Sequence, residues 1–315
     1  MPDELGRVYD LITRRLLRGK VVPVLGAGVN LSERPAHARW EPGRYLPSGQ
    51  ELADELARHI GNLTIDGRDL ARVSQYVAAL EGEGPLYEEL HDVFGASYPP
   101  TSFHRFLARL SRRIREAEEV QDCLLIVTTN YDDSLERAFA EEEEPYELVI
   151  YIAQGKDRGR FRHITADGGA AVIKAPNKYA DLRLDQRTVI AKIHGATDRV
   201  HGDSFVITED HYIDYITRLA GLFPVTMQAK LRTSHFLFLG YSLRDWNFRV
   251  LLYRLWGEQE GKNFKSWAIQ ANPDPIDSAA WDERGVDILP VRVEDFVTAI
   301  EQRLPAQHGE QRLPA

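Results

Sequence analysis

Short apolar runs alternate with amphipathic segments along the chain. Residues 4–19 place apolar side chains at helical spacing, and the apolar run Val21–Leu25 follows directly. Runs of similar length recur in CLLIVTTN, TVIAKIHG and HFLFLG. An apolar run of about four to eight residues indicates a buried strand, whereas a period of about 3.6 indicates an amphipathic helix. The alternation therefore predicts an α/β fold with a doubly wound, Rossmann-like parallel sheet.

The long segment between the first two strand-like runs, about residues 31–120, has mainly helical spacing interrupted by glycine and proline. Ser48 precedes Glu51 at the spacing of a capping box, which predicts the start of a helix there. We expect this segment to be a helical insertion that forms a smaller subdomain.

The rest of the chain predicts a single domain over about residues 1–300. A variable excursion, about residues 146–190, mixes short strand-like runs with loops rich in glycine and aspartate. Residues 301–315 contain the hexapeptide EQRLPA twice and show no further core pattern. We expect a flexible tail or a short docking peptide at that end.

The composition restricts which classes of protein and which kinds of binding site are possible. The chain has 315 residues, of which 43% are hydrophobic, so it can bury a sizeable core. Its single cysteine, Cys123, allows neither an intrachain disulfide nor a zinc site of paired cysteines. A net charge of −9 argues against direct nucleic-acid binding. Since no signal peptide or membrane-spanning run of about 20 apolar residues is present, we expect a soluble, cytoplasmic protein.

Four strand-like runs end in glycine or polar motifs. These are Gly26-Ala27-Gly28, Thr129-Asn130-Tyr131-Asp132, His194-Gly195 and Gly240-Tyr241-Ser242. Ligands of doubly wound sheets bind beyond the carboxyl ends of the strands, so the four motifs are expected to converge on one crevice. The glycine motif alone is a weak signal, because a tight packing turn has the same sequence. It lacks the lysine of a P-loop and the third glycine of the dehydrogenase fingerprint, which disfavours both classes.

The ordered set of motifs resembles the sirtuin (Sir2-like) family, over roughly residues 20–295. The run TTNYDDSLERAF, followed by KIHG, ITEDHY and FLFLGYSLRDWN, is similar to the NAD-hydrolysing sirtuin-like proteins of bacterial antiphage defence. Deacylating sirtuins carry a four-cysteine zinc ribbon and a Gly-Ile-Pro-Asp-Phe-Arg segment, whereas this chain has one cysteine and VNLSERPAHARW at that place. The resemblance implies NAD as the substrate, hydrolysis as the reaction and no zinc.

The resemblance implies catalytic roles for three residues. Asn130 would hold the nicotinamide ribose and the attacking water, Asp132 the nicotinamide amide, and His194 would be the catalytic histidine. The chemistry fits, because nicotinamide is already cationic in NAD and leaves without needing an acid. The site must then supply orientation and dipoles that favour a positively charged ribose. A histidine that titrates near neutral pH suits the base.

The remaining motif residues are predicted to bind NAD. The glycine loop would cradle the diphosphate, and the motif after HFLFL would lie along the adenosine, with tyrosine where the family has threonine. Arg34 is a candidate for a further diphosphate contact. The predicted binding residues are Gly26, Ala27, Gly28, Asn30, Thr129, Tyr131, Gly240, Tyr241 and Ser242.

Several of these residues also have a purely structural interpretation. Asparagine or aspartate at a strand-to-helix joint is commonly a helix cap, which applies to Asn130 and Asp132. Ser242 could cap the next helix, and a histidine before glycine, such as His194, is often a turn residue. The run EEEE at 141–144 is most simply a solvated face.

Partners and alternative functions follow from the same resemblance. Since no second domain is expected after about residue 300, control would come from homo-oligomerisation or from a neighbouring protein. The relatives suggest a hexameric translocase-type ATPase (HerA-like) or a short Argonaute-type protein. An NAD or ADP-ribose sensor without turnover, an NAD-dependent deacylase and a structural subunit stay open as other functions.

Overall fold

The computed structural model describes residues 2–61, 69–117, 122–218, 222–241, 252 and 264–305. Strands and helices alternate through these ranges, as the sequence predicts. The strands are β1 (Val21–Leu25), β2 (Leu125–Thr128), β3 (Tyr146–Ile152), β4 (Arg160–Ile164), β5 (Ala170–Ile173), β6 (Thr188–Lys192), β7 (Gly195–Ala196), β8 (Ser204–Phe205), β9 (His235–Leu239), β10 (Ser266–Ile269) and β11 (Val286–Leu289).

The helices cover both faces of the sheet. The α-helices are α1 (Pro2–Leu17), α2 (Gly49–His59), α3 (Leu70–Glu81), α4 (Glu83–Phe94), α5 (Ser102–Arg115), α6 (Ser134–Glu141), α7 (Glu209–Arg218), α8 (Val225–Arg232), α9 (Pro275–Asp282) and α10 (Val293–Glu301). A short 3-10 helix, Ala27–Leu31, follows β1. Within the described ranges, none of the helices has the length and apolar character that crossing a bilayer requires.

The main sheet has the strand order β11-β10-β9-β1-β2-β6-β3-β4-β5. Neighbouring strands from β11 to β3 run parallel, and this confirms the predicted doubly wound α/β class. The β3–β4 and β4–β5 pairs are antiparallel and form one edge of the sheet, which the sequence did not predict. The chain order reverses between β1 and β9, so the topological switch point lies between these two strands.

Three hydrophobic clusters form the core. One cluster packs α7, α8 and α9 against one face of the sheet, and a second packs α1, α5, α6 and α10 against the other. The third lies among α2, α3 and α4 and includes Tyr131 and Phe205 from the sheet side. The helices between β1 and β2 thus pack on the sheet and on one another. The predicted domain limits, about residues 1–300, stay a prediction.

Three of the four glutamates at 141–144 pair with arginines of α5, although Glu141 and Glu143 are exposed. Four ion pairs join the two segments: Arg105–Glu141 at 2.8 Å, Arg109–Glu142 at 3.1 Å, Arg112–Glu144 at 3.7 Å and Arg115–Glu144 at 2.9 Å. The side chain of Glu144 is fully buried. The solvated-face interpretation is therefore wrong for this residue, because α5 presents its basic face to the loop between α6 and β3.

Candidate active site

A crevice of about 880 Å³ lies at the carboxyl ends of β9, β1, β2 and β6. It spans the switch point between β1 and β9, which is where doubly wound sheets bind their ligands. Small-molecule sites have volumes of about 300–1,000 Å³, so the crevice has the size of a site for a large ligand.

Nearly all of the sequence-predicted site residues line this crevice. The loops after four parallel strands bring them together, because the carboxyl ends of those strands lie side by side. Ser242 lies outside the described residues. The predicted residues that line the crevice are Gly26, Ala27, Gly28, Asn30, Thr129, Asn130, Tyr131, Asp132, His194, Gly240 and Tyr241.

The glycine loops after β1 and β9 pack directly on each other. The Gly28 amide donates a hydrogen bond to the Gly240 carbonyl oxygen at 2.9 Å. A Cβ on Gly28 would lie 2.7 Å from that oxygen, and one on Gly240, whose φ is +68°, would lie 2.3 Å from the Val29 nitrogen. Glycine is therefore required at both positions for the loops to pack this closely. This agrees with the interpretation of the glycine motif as a tight packing turn. The same packing builds the floor of the crevice, where Ala27 is exposed.

Hydrogen bonds fix the joint between β2 and α6 to the loop after β1. The Thr128 hydroxyl donates to the Leu25 carbonyl oxygen at 3.2 Å and accepts from the Asn130 amide at 3.0 Å. The Asn130 side-chain amide donates to the Gly26 carbonyl oxygen at 3.2 Å. One further bond, at 2.8 Å, joins the hydroxyls of Thr129 and Tyr241. The Asn130 side chain is therefore oriented before any ligand arrives.

Asp132 is buried, with 4% of its surface exposed, and both carboxylate oxygens accept hydrogen bonds. Oδ1 accepts from the main-chain amide of Ser134, the first residue of α6, at 3.0 Å, whereas the N-cap position itself is Asp133, whose side chain makes no capping bond. Oδ2 accepts from Nδ2 of Asn30 at 2.8 Å. Because a carboxylate only accepts, Asn30 must turn its Oδ1 away, and that atom is buried without a partner among the described residues.

His194 lies at the end of β6 between two tyrosine rings. Its ring packs edge-on against Tyr212 and Tyr215, with both centroid separations at 5.4 Å. Desolvation lowers the pKa of His194 to about 3. The expectation that it titrates near neutral pH is therefore wrong, because its environment is apolar. The imidazole is neutral at pH 7 and can accept a hydrogen bond from water or a ribose hydroxyl.

Stability is expected to fall on mild acidification because two buried histidines stay neutral in the folded chain. Desolvation lowers the pKa of His104 to about 4 and that of His194 to about 3, from an ordinary value of 6.5. Below about pH 6.5 the unfolded chain binds more protons than the folded one, so the free energy of unfolding falls as the pH drops. Urea unfolding should show a loss of about 4 kcal/mol between about pH 7 and pH 5.

Variants separate this effect from general acid sensitivity. His194→Gln should remove about 2 kcal/mol of the loss; His104 contributes a similar amount, and the buried His211, whose pKa desolvation also lowers, adds to the total. The matched control is His37→Gln, which changes an exposed histidine and should leave the loss unchanged. Equal unfolding free energies at the two pH values would contradict the burial of both imidazoles.

Arg34 does not line the crevice, and its guanidinium is held within the loop that follows the glycine motif. It pairs with both carboxylate oxygens of Glu51 and donates to the carbonyl oxygens of Ala38 and Leu46. Its hydrogen bond is the main cause that lowers the pKa of Glu51 to about 2. The expected diphosphate contact of Arg34 is thus wrong, whereas the predicted Ser48–Glu51 capping box is confirmed.

Arg34→Ala is expected to lower the free energy of unfolding by about 2 kcal/mol, because it removes charge-assisted bonds and leaves Glu51 half-buried without its cation. Arg44→Ala is the control, since that side chain is 63% exposed in its pair with Glu41. It should leave the free energy of unfolding nearly unchanged, because an exposed ion pair contributes little. Urea denaturation measures both, and equal costs would refute the structural role of Arg34.

One side of the crevice, formed by the loop after β10 and the starts of α9 and α10, was not predicted from the sequence. The Gln270 side chain donates to the Tyr241 carbonyl oxygen at 3.2 Å. Arg292, paired with Glu294 at 3.3 Å, stands at the same side. The signal was present in SWAIQAN, a further apolar run with a polar end. Other lining residues on this side are Ala271, Asn272, Asp274 and Asp277.

In the part of the chain that the structure describes, no group of three or more histidine, cysteine, aspartate or glutamate side chains could hold a metal ion.

The profile of the SIR2-like domain matches residues 124–289, more than half of the chain. The chain therefore belongs to the SIR2-like domain family, which confirms the resemblance seen in the strand-end motifs. It is similar to the NAD(+) hydrolase ThsA of Acinetobacter baumannii (strain 532279), with 29% identity over 250 residues, 79% of this chain and 42% of that protein. It is also similar to the NAD(+) hydrolase ThsA of Enterococcus faecium, with 27% identity over 237 residues, 75% of this chain and 40% of that protein.

A third relative is the Defense-associated sirtuin 2 of Bacillus subtilis, with 24% identity over 283 residues, 88% of this chain and 24% of that protein. The chain thus spans less than half of the length of each of these three relatives.

Proposed function

We propose that this chain is an NAD+ hydrolase that cleaves the bond between nicotinamide and ribose and releases nicotinamide and ADP-ribose. The observation that carries the proposal is the crevice at the switch point, with Asn130, Asp132 and His194 at one end. Two relatives bear the name NAD(+) hydrolase and one the name Defense-associated sirtuin, which supports a role in antiphage defence by depletion of NAD.

The order of the strands suggests how NAD lies in the crevice. The candidate reactive groups follow β2 and β6, whereas Gly240, Tyr241 and Gln270 follow β9 and β10. Neighbouring strands lie about 4.8 Å apart, so β10 and β6 are separated by about 19 Å, enough for an extended dinucleotide. We place the nicotinamide ribose beside Asn130, the diphosphate over the glycine loops and the adenosine beside Tyr241.

The chemistry needs three contributions from the chain. The C1′–N bond breaks and its electron pair leaves with nicotinamide as a neutral molecule, while a water oxygen bonds to C1′ and releases one proton to solvent. Asn130 orients the ribose and the water, and Asp132 accepts the carboxamide N–H group. The neutral His194 accepts a hydrogen bond from the water without repelling the positively charged ribose.

Release of nicotinamide is the direct test. The purified chain is incubated with NAD, alone and with a candidate partner, and the products are separated by chromatography. Equal amounts of nicotinamide and ADP-ribose are expected, and absence of both under every condition would overturn the proposal. Consumption of an acyl-lysine peptide together with NAD would instead indicate a deacylase.

One observation favours a second candidate, a sensor of NAD or ADP-ribose without turnover. Burial keeps the pKa of His194 far below the value that suits a general base near neutral pH. A sensor would bind NAD saturably and gain thermal stability from it, yet release no nicotinamide.

Control by assembly is part of the proposal. We propose a cytoplasmic homo-oligomer whose partner is a hexameric translocase-type ATPase (HerA-like) or a short Argonaute-type protein, without direct nucleic-acid binding by this chain. The family resemblance supports this assignment. The native mass of co-purified material tests it, and a lone monomer would count against it.

A further inference from the structure

Lys192, the last residue of β6, is a buried cation beside the candidate site, with 1% of its surface exposed. Its ammonium group lies 2.7 Å from Oε1 of Glu136 in α6. The same group donates a hydrogen bond to the main-chain carbonyl oxygen of Asp132. Lys192, two residues before His194, therefore links the end of β6 to the joint that carries Asp132.

A buried ion pair contributes little to the stability of the fold. The desolvation penalty of a lysine and a glutamate exceeds their electrostatic attraction unless every polar atom of the pair is hydrogen-bonded. Here Oε2 of Glu136 is buried without a partner among the described residues. Two apolar residues of similar volume would stabilise this part of the core about as well. Stability alone does not explain why a charged pair stands here.

The hydrogen bonds around the joint between β2 and α6 show how Lys192 contributes to its position. Asn30 and Gly26 tie the β2–α6 joint to the loop after β1 through the side chains of Asp132 and Asn130. The chain after β6 is bonded to the same joint, since the amide of Thr197 donates to the Tyr131 carbonyl oxygen at 3.0 Å. The Lys192 ammonium adds a charged hydrogen bond from β6 to the carbonyl oxygen of Asp132.

We propose that Lys192 is a positioning residue of the cleavage site, which holds Asp132 at a fixed separation from His194. The role rests on the proposed hydrolysis of NAD. Asp132 receives the nicotinamide amide in that proposal, and His194 the attacking water. A displacement between them misaligns leaving group and nucleophile, which lowers kcat while NAD still binds through the rest of the crevice.

The test compares two buried lysines. Lys192→Met removes the proposed tie, whereas Lys230→Met removes a lysine that is 3% exposed and lies 3.2 Å from Asp122, before the start of β2 and away from the crevice. Both variants should lose stability in urea unfolding. Only Lys192→Met should lower kcat for nicotinamide release, by at least about tenfold, with a change in KM below about threefold.

A double variant separates position from folding. Lys192→Met/Glu136→Leu removes the carboxylate that would be left buried and unpaired, so it should regain the unfolding midpoint lost in the single variant. Its kcat should stay low, because the Asp132 carbonyl is still unheld. Recovery of kcat together with stability would overturn the positioning role, as would equal kcat values for Lys192→Met and Lys230→Met. An inactive wild type would overturn the hydrolase function and this role with it.

Discussion

Asn130→Ala is expected to reduce nicotinamide release at least about a hundredfold, because the water and the nicotinamide ribose lose the group that orients them. His194→Ala should have a comparable effect, since it removes the neutral acceptor at the end of β6. Neither change should unfold the chain: Asn130 is half-buried, and the His194 ring makes no hydrogen bond within the described ranges. Chromatographic quantification of nicotinamide measures both.

Asn177→Ala provides the control, because Asn177 is an exposed asparagine that does not line the crevice. It should keep the wild-type rate. Binding of ADP-ribose by calorimetry shows whether the Asn130 and His194 variants retain the crevice. Undiminished release by either variant with binding intact would remove that residue from the reaction.

Gly240→Ala should be the most damaging single change outside the reactive groups. The new Cβ would lie 2.3 Å from the Val29 nitrogen, and the residue holds a φ of +68°, which alanine rarely adopts. We expect a loss of more than about 3 kcal/mol in the free energy of unfolding and loss of NAD binding, because the loops after β1 and β9 must separate. Urea unfolding and calorimetric binding measure the two effects.

Gly285→Ala isolates the contribution of the backbone angle. Gly285 has a similar φ of +76°, but no atom lies within 4 Å of the position of a Cβ. This variant should lose only about 1–2 kcal/mol and keep NAD binding. If the two alanine variants were equally stable, the close contact of the glycine loops would not be required for the fold.

The central strands could be predicted from the sequence because their signal is local. The run Val21–Leu25 is predicted and observed with the same limits, since a short apolar run rich in β-branched residues that ends at a Gly-Ala-Gly motif is typical of a strand buried on both faces. The convergence of Asn130 and His194 on one crevice followed from the same step, because parallel strands carry their carboxyl ends to one edge. The roles of these residues in catalysis stay predictions.

Features that depend on tertiary neighbours could not be predicted in this way. The low pKa of His194 results from the rings of Tyr212 and Tyr215, which belong to another element. Glu144 appears in the sequence as one of four similar glutamates, yet only packing on α5 buries it. The antiparallel edge formed by β4 and β5 has the same cause, because alternation of residues does not reveal the direction of pairing.

Asp132 illustrates both what the sequence predicts about the site and what only the structure decides. Asp132 was predicted either as a helix cap or as a ligand-binding group. In the structure Asp133 holds the N-cap position of α6, while Asp132 accepts a bond from the first amide of that helix and also lines the crevice. That bond uses one carboxylate oxygen, which leaves the other to Asn30 and to a ligand. The two interpretations are therefore compatible.

A crystal structure of the chain with ADP-ribose would show directly whether the crevice binds the product of NAD hydrolysis. We expect the diphosphate over the glycine loops after β1 and β9, the reactive ribose within hydrogen-bond distance of Asn130 and His194, and the adenosine beside Tyr241. ADP-ribose bound outside this crevice, or bound in it with the adenosine at Asn130 and His194, would overturn the proposed site.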